Sequence, residues 1–145
     1  MSYRIEEVDG EQHADTINRF NALDPATFPP LKLHHLTHGF WFFMMHEETA
    51  IAFAGMVPFF EPDDGIGYMK RAYVLPDHRS RGLQLLLLTA RETRARQIGW
   101  RMLVSECAGD NRASASSFFR AGFAQFEPDQ PWGKPGDIYW RKTLA

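Results

Sequence analysis

Residues 79–82 form a short polar turn that carries two arginines directly before an apolar, helix-like stretch. The sequence reads Arg79-Ser80-Arg81-Gly82 and continues as LQLLLL. The first N–H groups of a helix are unpaired and lie at the positive end of its dipole, so cations are unfavourable there. An anion bound between the arginines and these N–H groups would reverse that effect, and glycine permits a close backbone approach. The turn therefore fits a phosphate site, and it fits equally an ordinary turn with solvated arginines.

A second group of residues combines a carboxylate, Glu106, with Asn111, Phe118 and the pair Gly122-Phe123. Glu106 lies near the end of a predicted strand, where a side chain can face a cleft in an open α/β sheet. A carboxylate in a cleft can accept a proton from an amine, directly or through water. Taken alone, Glu106 is more often a solvated strand residue, because most glutamates are exposed.

The elements that would position these residues follow from hydrophobic periodicity and turn residues. Strands are predicted over residues 3–8, 40–46, 50–60, 67–75, 102–107, 123–126 and 138–143. Helices are predicted over residues 10–23, before Gly39, over 80–98 and over 112–121, with Asp110 or Asn111 starting the last one. This order indicates a mixed α/β sheet with helices on its faces. The chain has no GxGxxG after an early strand and no Walker GxxxxGK[ST], which argues against those nucleotide-binding folds.

Composition indicates one globular domain over residues 1–145, with 44% hydrophobic and 23% charged residues. A net charge of −2 does not favour a general nucleic-acid surface, although it leaves room for a local basic patch. The single cysteine, Cys107, excludes an internal disulfide framework and fits a reducing compartment. We do not expect the polar start to act as a signal peptide, and the longest apolar runs are too short to span a bilayer. We therefore expect a cytoplasmic protein without a nucleic-acid or membrane partner.

Together these residues resemble the GNAT superfamily of N-acetyltransferases. That family's signature begins with V-x-P at a strand end and continues as Arg/Gln-x-x-Gly-x-Gly/Ala at the start of a long helix. A later Asn follows, with an aromatic residue seven positions on and Gly-Phe at eleven and twelve. The matching residues here are Val74-Leu75-Pro76, Arg79-Ser80-Arg81-Gly82-Leu83, Asn111, Phe118 and Gly122-Phe123. The resemblance covers residues 67–126 and implies a mostly antiparallel sheet of about seven strands with about four helices.

The resemblance implies acetyl-CoA as co-substrate and assigns it two groups of residues. Backbone N–H groups at the helix start would hold its pyrophosphate, with added charge from Arg79 and Arg81. These groups belong to Ser80, Arg81, Gly82, Leu83, Gln84 and Leu85. Strand backbone at Ala72, Tyr73 and Val74 would bind the pantetheine arm and polarise the thioester carbonyl. Asn111 would contact the same arm, and Phe118 would lie beside the thioester sulfur.

Two positions depart from the family pattern. Gln84 stands where Gly or Ala is usual, which bears on cofactor affinity more than on the fold. Phe118 stands where many relatives carry a tyrosine that protonates the leaving thiolate, and phenylalanine cannot donate a proton. Water or another group would then protonate it, or the thiolate would leave unprotonated. Departure of the unprotonated thiolate is chemically acceptable, because a free thiol has a pKa of about 8.5 and its thiolate is therefore a reasonable leaving group.

The resemblance offers two positions for the general base. Some relatives place a Glu where this chain has Tyr68, and others place one five residues before the Asn, which is Glu106. We select Glu106, with Tyr68 lining the site. The predicted reaction is direct attack of a primary amine on acetyl-CoA in a ternary complex, with strand backbone stabilising the oxyanion. The alternative is a domain that binds an acyl-CoA without turnover, and Phe118 is the feature that favours it.

The acceptor would be a small-molecule or peptide amine. An aromatic mouth is expected from Phe28, Trp41, Phe59, Phe60 and Trp132, and a cationic amine could be attracted by Glu61, Asp63 and Asp64. His34, His35 and His38 more plausibly face the substrate than bind a metal, because no acidic or cysteine partner lies beside them. No metal is therefore expected.

Three further features receive structural interpretations. Cys107 is expected to be a small buried strand residue rather than a nucleophile. A basic run is expected to form a solvated helix face, and it comprises Arg91, Arg94, Arg96 and Arg101. An exposed strand face would support a homodimer.

Overall fold

The computed structural model of the protein describes residues 2–25 and 28–144. The helices and strands follow one another as β1 (Tyr3–Val8), α1 (Ala14–Leu23), α2 (Leu33–His38), β2 (Phe40–His46), β3 (Thr49–Pro58), β4 (Ile66–Tyr68), β5 (Ala72–Val74), α3 (Leu83–Gln97), β6 (Met102–Cys107), α4 (Arg112–Arg120), β7 (Ala124–Phe126) and β8 (Ile138–Thr143). Within these ranges no helix is both long and apolar enough to cross a membrane.

The strands form one sheet in the order β1-β2-β3-β4-β6-β8-β7, and β5 pairs with β3 beside this path. The β4–β6 pair is parallel and the other pairs are antiparallel. The predicted α/β class and the mixed, mostly antiparallel sheet are therefore confirmed. The sheet has eight strands rather than about seven, because one predicted strand is divided in two.

That division falls within residues 67–75, which were predicted as one continuous strand. Arg71 has a left-handed φ of 61°, which interrupts the extended backbone. Gly55 of β3 accepts a hydrogen bond from the Lys70 N–H at 3.0 Å and donates one to the Arg71 C=O at 3.1 Å. Lys70 and Arg71 thus both pair with the single residue Gly55, as in a β-bulge. Before the bulge β4 pairs with both β3 and β6, whereas after it β5 pairs with β3 alone among the described strands, so the sheet opens between β5 and β6.

The central strands β2 and β3 are buried along most of their length because helices cover both faces of the sheet. Successive side chains of each strand point to opposite faces of the sheet. Phe43 and Phe53 pack with α1 and α2 on one face, whereas Phe42 and Met44 belong to the cluster that holds the first turns of α3. The start of α3 is therefore anchored to the most buried part of the sheet.

Two helices begin later than predicted. Ser80 and Gly82 have φ values of 63° and 75°, so the predicted start at Ser80 is wrong and α3 begins at Leu83. The first helix begins at Ala14 rather than at Gly10, because Asp9 Oδ1 accepts from the N–H groups of Glu11 and Gln12 and holds a turn there.

The prediction of a solvated arginine face is wrong for Arg91. This side chain is only 3% exposed, and its guanidinium donates to the backbone carbonyls of Leu87 at 3.2 Å and Gly55 at 3.0 Å. Arg94 and Arg96 remain partly exposed and pair with Glu7 and Glu92. The helical spacing places Arg91 on the buried face of α3, four residues from both Leu87 and Ala95, and the charge of the side chain led to the wrong prediction.

Candidate active site

A cavity of about 470 Å³ lies at the start of α3. The left-handed residues Ser80 and Gly82 turn the chain into the helix, and no described side chain caps that helix start. A Cβ built on Gly82 would meet no atom within 4 Å, so this backbone faces open space. Uncapped N–H groups beside an open cavity are suited to bind an anion.

Most of the residues predicted to bind the cofactor meet at this cavity. Its lining includes Ala72, Tyr73, Val74, Arg79, Ser80, Gly82, Leu83, Gln84, Leu85 and Asn111. Arg81 is exposed and does not line it. Phe118 lines a neighbouring cavity instead.

Arg79 ties the turn to β5. Its Nε donates to the Val74 C=O at 2.9 Å, and its guanidinium lies 5.1 Å from the centre of the Tyr73 ring. The arginine is exposed, so it adds positive charge at the cavity without a large desolvation cost.

The backbone of β5 offers hydrogen-bonding groups toward the opening in the sheet. The Leu75 N–H donates to the Ile51 C=O, and the Arg71 C=O accepts from the Gly55 N–H. The backbone N–H and C=O groups of the odd-numbered residues here therefore point toward β3. In an antiparallel pair these directions alternate, so the backbone groups of Ala72 and Val74 point away from β3. They are available to an extended ligand, apart from the Val74 carbonyl that Arg79 already occupies.

Gln84 connects α3 to α4 at the cavity wall, and Asn111 caps α4 there. Gln84 Nε2 donates to Ser114 Oγ at 3.1 Å, so this side chain bridges the two helices. Asn111 Oδ1 accepts from the Ser114 N–H at 3.1 Å and caps α4, as one of the two predicted starts required. The cap leaves the Nδ2 group of Asn111 as the atom that can donate to a ligand.

A second cavity of about 820 Å³ adjoins the first. The two share the lining residues Asp24, Ala72, Gln84, Asn111 and Ser114. A ligand bound at the helix start can therefore extend into the larger space, which contains Glu106, Tyr68 and Phe118.

Glu106 is held in this larger cavity by two neutral donors. The Tyr68 hydroxyl donates to its Oε1, and Trp132 Nε1 donates to its Oε2 at 3.0 Å. Burial, followed by the charge of Glu106 and this hydrogen bond, raises the pKa of Tyr68 well above its ordinary range. Tyr68 is therefore a neutral donor, and the carboxylate retains free lone pairs for another proton donor.

The sequence placed Trp132 only in an aromatic mouth and missed its bond to Glu106. The indole is fixed by Tyr139 and Phe59, whose ring centres lie 4.6 and 4.9 Å away. Trp132 belongs to the loop between β7 and β8, and Glu106 to β6. No local spacing links them, since the contact spans 26 positions.

Four of the five residues predicted to form an aromatic mouth line the larger cavity, namely Phe28, Phe59, Phe60 and Trp132. Trp41 is the exception. It is 0% exposed, stacks on Phe53 in the core, and donates from Nε1 to the His35 C=O at 3.1 Å. The acids Glu61, Asp63 and Asp64 lie in an exposed turn and do not line either cavity.

The three histidines of α2 line the larger cavity, as expected for residues that face a substrate. Burial lowers the pKa of His35 to about 4, and the positive charge of Lys70 is the second largest cause. His35 is therefore neutral near pH 7. The described residues contain no group of three His, Cys, Asp or Glu suited to hold a metal.

Phe118 both lines the larger cavity and packs in the core. It is 7% exposed, with Phe123 and Trp140 ring centres at 5.2 and 5.8 Å. Cys107 is buried, as predicted, and accepts from Trp140 Nε1 at 3.4 Å. Burial raises the pKa of the Cys107 thiol, which does not suit a nucleophile.

The sequence matches the model of a known family, and the fold matches solved structures. The model of the acetyltransferase (GNAT) family matches residues 5–123. No curated protein matches the chain. Among solved structures, an N-acetyltransferase from Staphylococcus aureus Mu50 is 18% identical, with a TM-score of 0.77 and 100% of both chains covered. An acetyltransferase of the GNAT family from the same organism is 12% identical, with a TM-score of 0.79 and coverage of 99% of this chain and 100% of that one.

A third structure was solved with a ligand. It is a GNAT superfamily phosphinothricin acetyltransferase from Sinorhizobium meliloti in complex with AcCoA. It is 15% identical to this chain, with a TM-score of 0.78, and the match covers 100% of this chain and 90% of that one. At these identities the structural matches establish the shared fold.

Proposed function

Because the chain belongs to the acetyltransferase (GNAT) family, we propose that it transfers an acetyl group from acetyl-CoA to a primary amine by direct attack in a ternary complex. The observation that carries this proposal is the placement of Glu106. Its carboxylate lies in the 820 Å³ cavity, which is continuous with the anion-suited cavity at the start of α3. A base and a phosphate cradle thus share one continuous site.

The residues of the smaller cavity are suited to acetyl-CoA. The N–H groups at the start of α3 and the charge of Arg79 would hold its pyrophosphate. The outward-facing backbone of Ala72 and Val74 would bind the extended arm. This arrangement would direct the thioester toward the larger cavity, where Glu106 lies.

In the chemical step the amine nitrogen forms a bond to the thioester carbonyl carbon, and the carbon–sulfur bond breaks. Glu106 would accept the proton that the amine loses, directly or through water. Backbone N–H groups of β5 would stabilise the developing oxyanion. Tyr68 and Trp132 would hold the carboxylate in one orientation throughout.

The leaving thiolate receives no proton from position 118. The Phe118 ring has no exchangeable proton, so water would protonate the thiolate after it departs. A thiolate is an acceptable leaving group because its conjugate acid has a pKa of only about 8.5.

Release of free thiol from acetyl-CoA by the purified protein tests the proposal. The assay would use neutral amines, amino acids and a lysine-containing peptide as acceptors, with mass spectrometry to identify an added acetyl group. We expect thiol release that depends on the amine. Tight acetyl-CoA binding without thiol release from any acceptor would instead support the non-catalytic acyl-CoA-binding function.

A further inference from the structure

The larger cavity carries an excess of positive charge that the acetyl-transfer chemistry does not require. Its charged lining residues are Lys70, Arg71, Arg91, Lys134, Asp24, Glu106 and Asp137, and it also contains the three histidines of α2. Glu106 is bound by neutral donors, and Asp137 accepts from the Lys134 backbone N–H at 2.9 Å. Among the described residues none of the four cations forms an ion pair within 4 Å. Glu106 and Asp24 act on the charge of Arg71 only at longer range.

Arg71 is the central cation of this group. Its guanidinium lies 3.7 Å from the centre of the Phe28 ring, and its buried Nε has no hydrogen-bond partner in the described part of the chain. The bulge holds it there with a φ of 61°, a conformation that is costly for arginine. An unsatisfied guanidinium donor that is held in place suits an oxyanion, because its N–H groups match the geometry of carboxylate and phosphate.

Lys70 adds a second cation at the same place. Burial, followed by the charge of Arg71, lowers the pKa of Lys70 to about 8. Its ammonium lies 5.9 Å from the centre of the Tyr68 ring, on the side of the cavity that also contains Glu106. Two adjacent, partly desolvated cations repel each other, and a bound anion would relieve that repulsion.

Arg91 contributes a third positive charge. It is fully buried, yet its described hydrogen bonds go only to the carbonyls of Leu87 and Gly55. Arginine stays protonated in proteins, so this charge persists beside the cavity that the side chain lines.

The charge is separate from the proposed cofactor cradle. Lys70, Arg71 and Phe28 line the 820 Å³ cavity and do not line the 470 Å³ cavity at the start of α3. The phosphates of acetyl-CoA would be bound at that helix start, so they would not neutralise these cations.

We infer that the acceptor is an amine that also carries a carboxylate or similar oxyanion, bound by Arg71 and Lys70. This inference rests on the proposed function, because it names the substrate class of the same site. The amine of such an acceptor would reach Glu106, and its apolar body would contact the rings of Phe28 and Trp132. This class includes the α-amino acids. It also includes aromatic compounds in which a ring separates the amine from the carboxylate.

Matched pairs of acceptors test the inference. L-phenylalanine is compared with phenethylamine, and 4-(aminomethyl)benzoate with benzylamine, so that each pair differs by one carboxylate. We expect at least one carboxylate-bearing member to have a kcat/KM about tenfold or more above its neutral partner, since charge-assisted hydrogen bonds are strong. Binding of the same four compounds to the CoA-saturated protein is measured by calorimetry, which requires no turnover.

The variant Arg71→Gln removes the charge, and Arg101→Gln is the matched control. Arg101 is exposed, bonds to the Asp64 backbone carbonyl and lies outside both cavities. We expect Arg71→Gln to abolish the preference for the carboxylate while the Kd for acetyl-CoA changes less than about twofold. Lys70→Gln keeps the proposal testable if the Arg71 variant does not fold, and it should reduce the same preference about threefold to tenfold.

The outcomes separate this inference from the proposed function. Thiol release that is equal for both members of each pair, or a preference unchanged in both variants, would overturn the inference alone. Preferential binding of the carboxylate members without thiol release would support the inference and overturn the proposed function. If no acceptor is turned over and no carboxylate member binds preferentially, both the inference and the proposed function are overturned.

Discussion

The substitution Glu106→Gln removes the proposed base while preserving its shape. In the wild-type protein each carboxylate oxygen accepts one bond, from Tyr68 and from Trp132. In the variant the glutamine Oε1 can accept from the Trp132 N–H, which only donates. Its Nε2 can donate to the Tyr68 hydroxyl, which both donates and accepts. Both partners thus keep a hydrogen bond to the side chain at position 106, and we expect a folded protein.

The size of the effect follows from the loss of a positioned base. General base catalysis contributes about 10²–10⁴ in rate, which is roughly 3–5 kcal/mol of activation free energy. The Kd for acetyl-CoA should be unchanged, because Glu106 does not line the helix-start cavity. The pKa of Tyr68 should fall, since the charge of Glu106 contributes to raising it, and it should stay above its ordinary value because burial persists.

Three measurements check this prediction. Thiol release gives kcat with the best acceptor found, calorimetry gives the acetyl-CoA affinity, and ultraviolet titration follows the tyrosine. Glu48→Gln is the matched control, because that side chain is 95% exposed in the β2–β3 turn. A wild-type kcat in Glu106→Gln, with the tyrosine titration shifted as expected, would refute Glu106 as the base and indicate Tyr68, a histidine or bulk water.

Three further substitutions have defined outcomes. Gly82→Asp should weaken acetyl-CoA binding by about 1–3 kcal/mol in calorimetry, because it puts a carboxylate beside the free N–H groups. Gly82→Asn has the same shape without the charge and should lose less binding free energy. Equal losses in the two variants would contradict an anion site. Phe118→Tyr should raise thiol release up to about tenfold if thiolate departure limits the rate; loss of acetyl-CoA binding would show that the core cannot accept the hydroxyl. Because burial lowers the His35 pKa to about 4 while the unfolded chain titrates near about 6.5, stability should fall as pH drops through that window. His35→Gln should lose less stability over that window in urea melts at each pH, and equal losses would contradict this assignment.

The fold was largely predictable from the sequence because its signals are local. The run FWFFMMH and the strand that returns beside it read as buried strands, and both were found where expected. The division of residues 67–75 was not predictable, because it depends on Gly55 of a neighbouring strand bonding to both Lys70 and Arg71. A bulge is a property of two strands together, so one strand's pattern does not contain it.

The sequence by itself located the turn before the long helix and the start of the last helix at Asp110 or Asn111. Both depend on backbone groups within a few positions of the residues themselves, so the sequence narrowed the cap to Asp110 or Asn111 and marked the turn as one of two alternatives, a phosphate site or an ordinary turn. Its motifs also identified Glu106 as a candidate base.

Only the tertiary structure decided what surrounds that carboxylate. Trp132 reaches it from a distant loop, Tyr68 from a neighbouring strand, and Arg71 enters the same cavity through the bulge. Trp41 joined the core for the same kind of reason. Burial and charge environment depend on which segments fold over a residue, and local periodicity carries no information about segments far away in the chain.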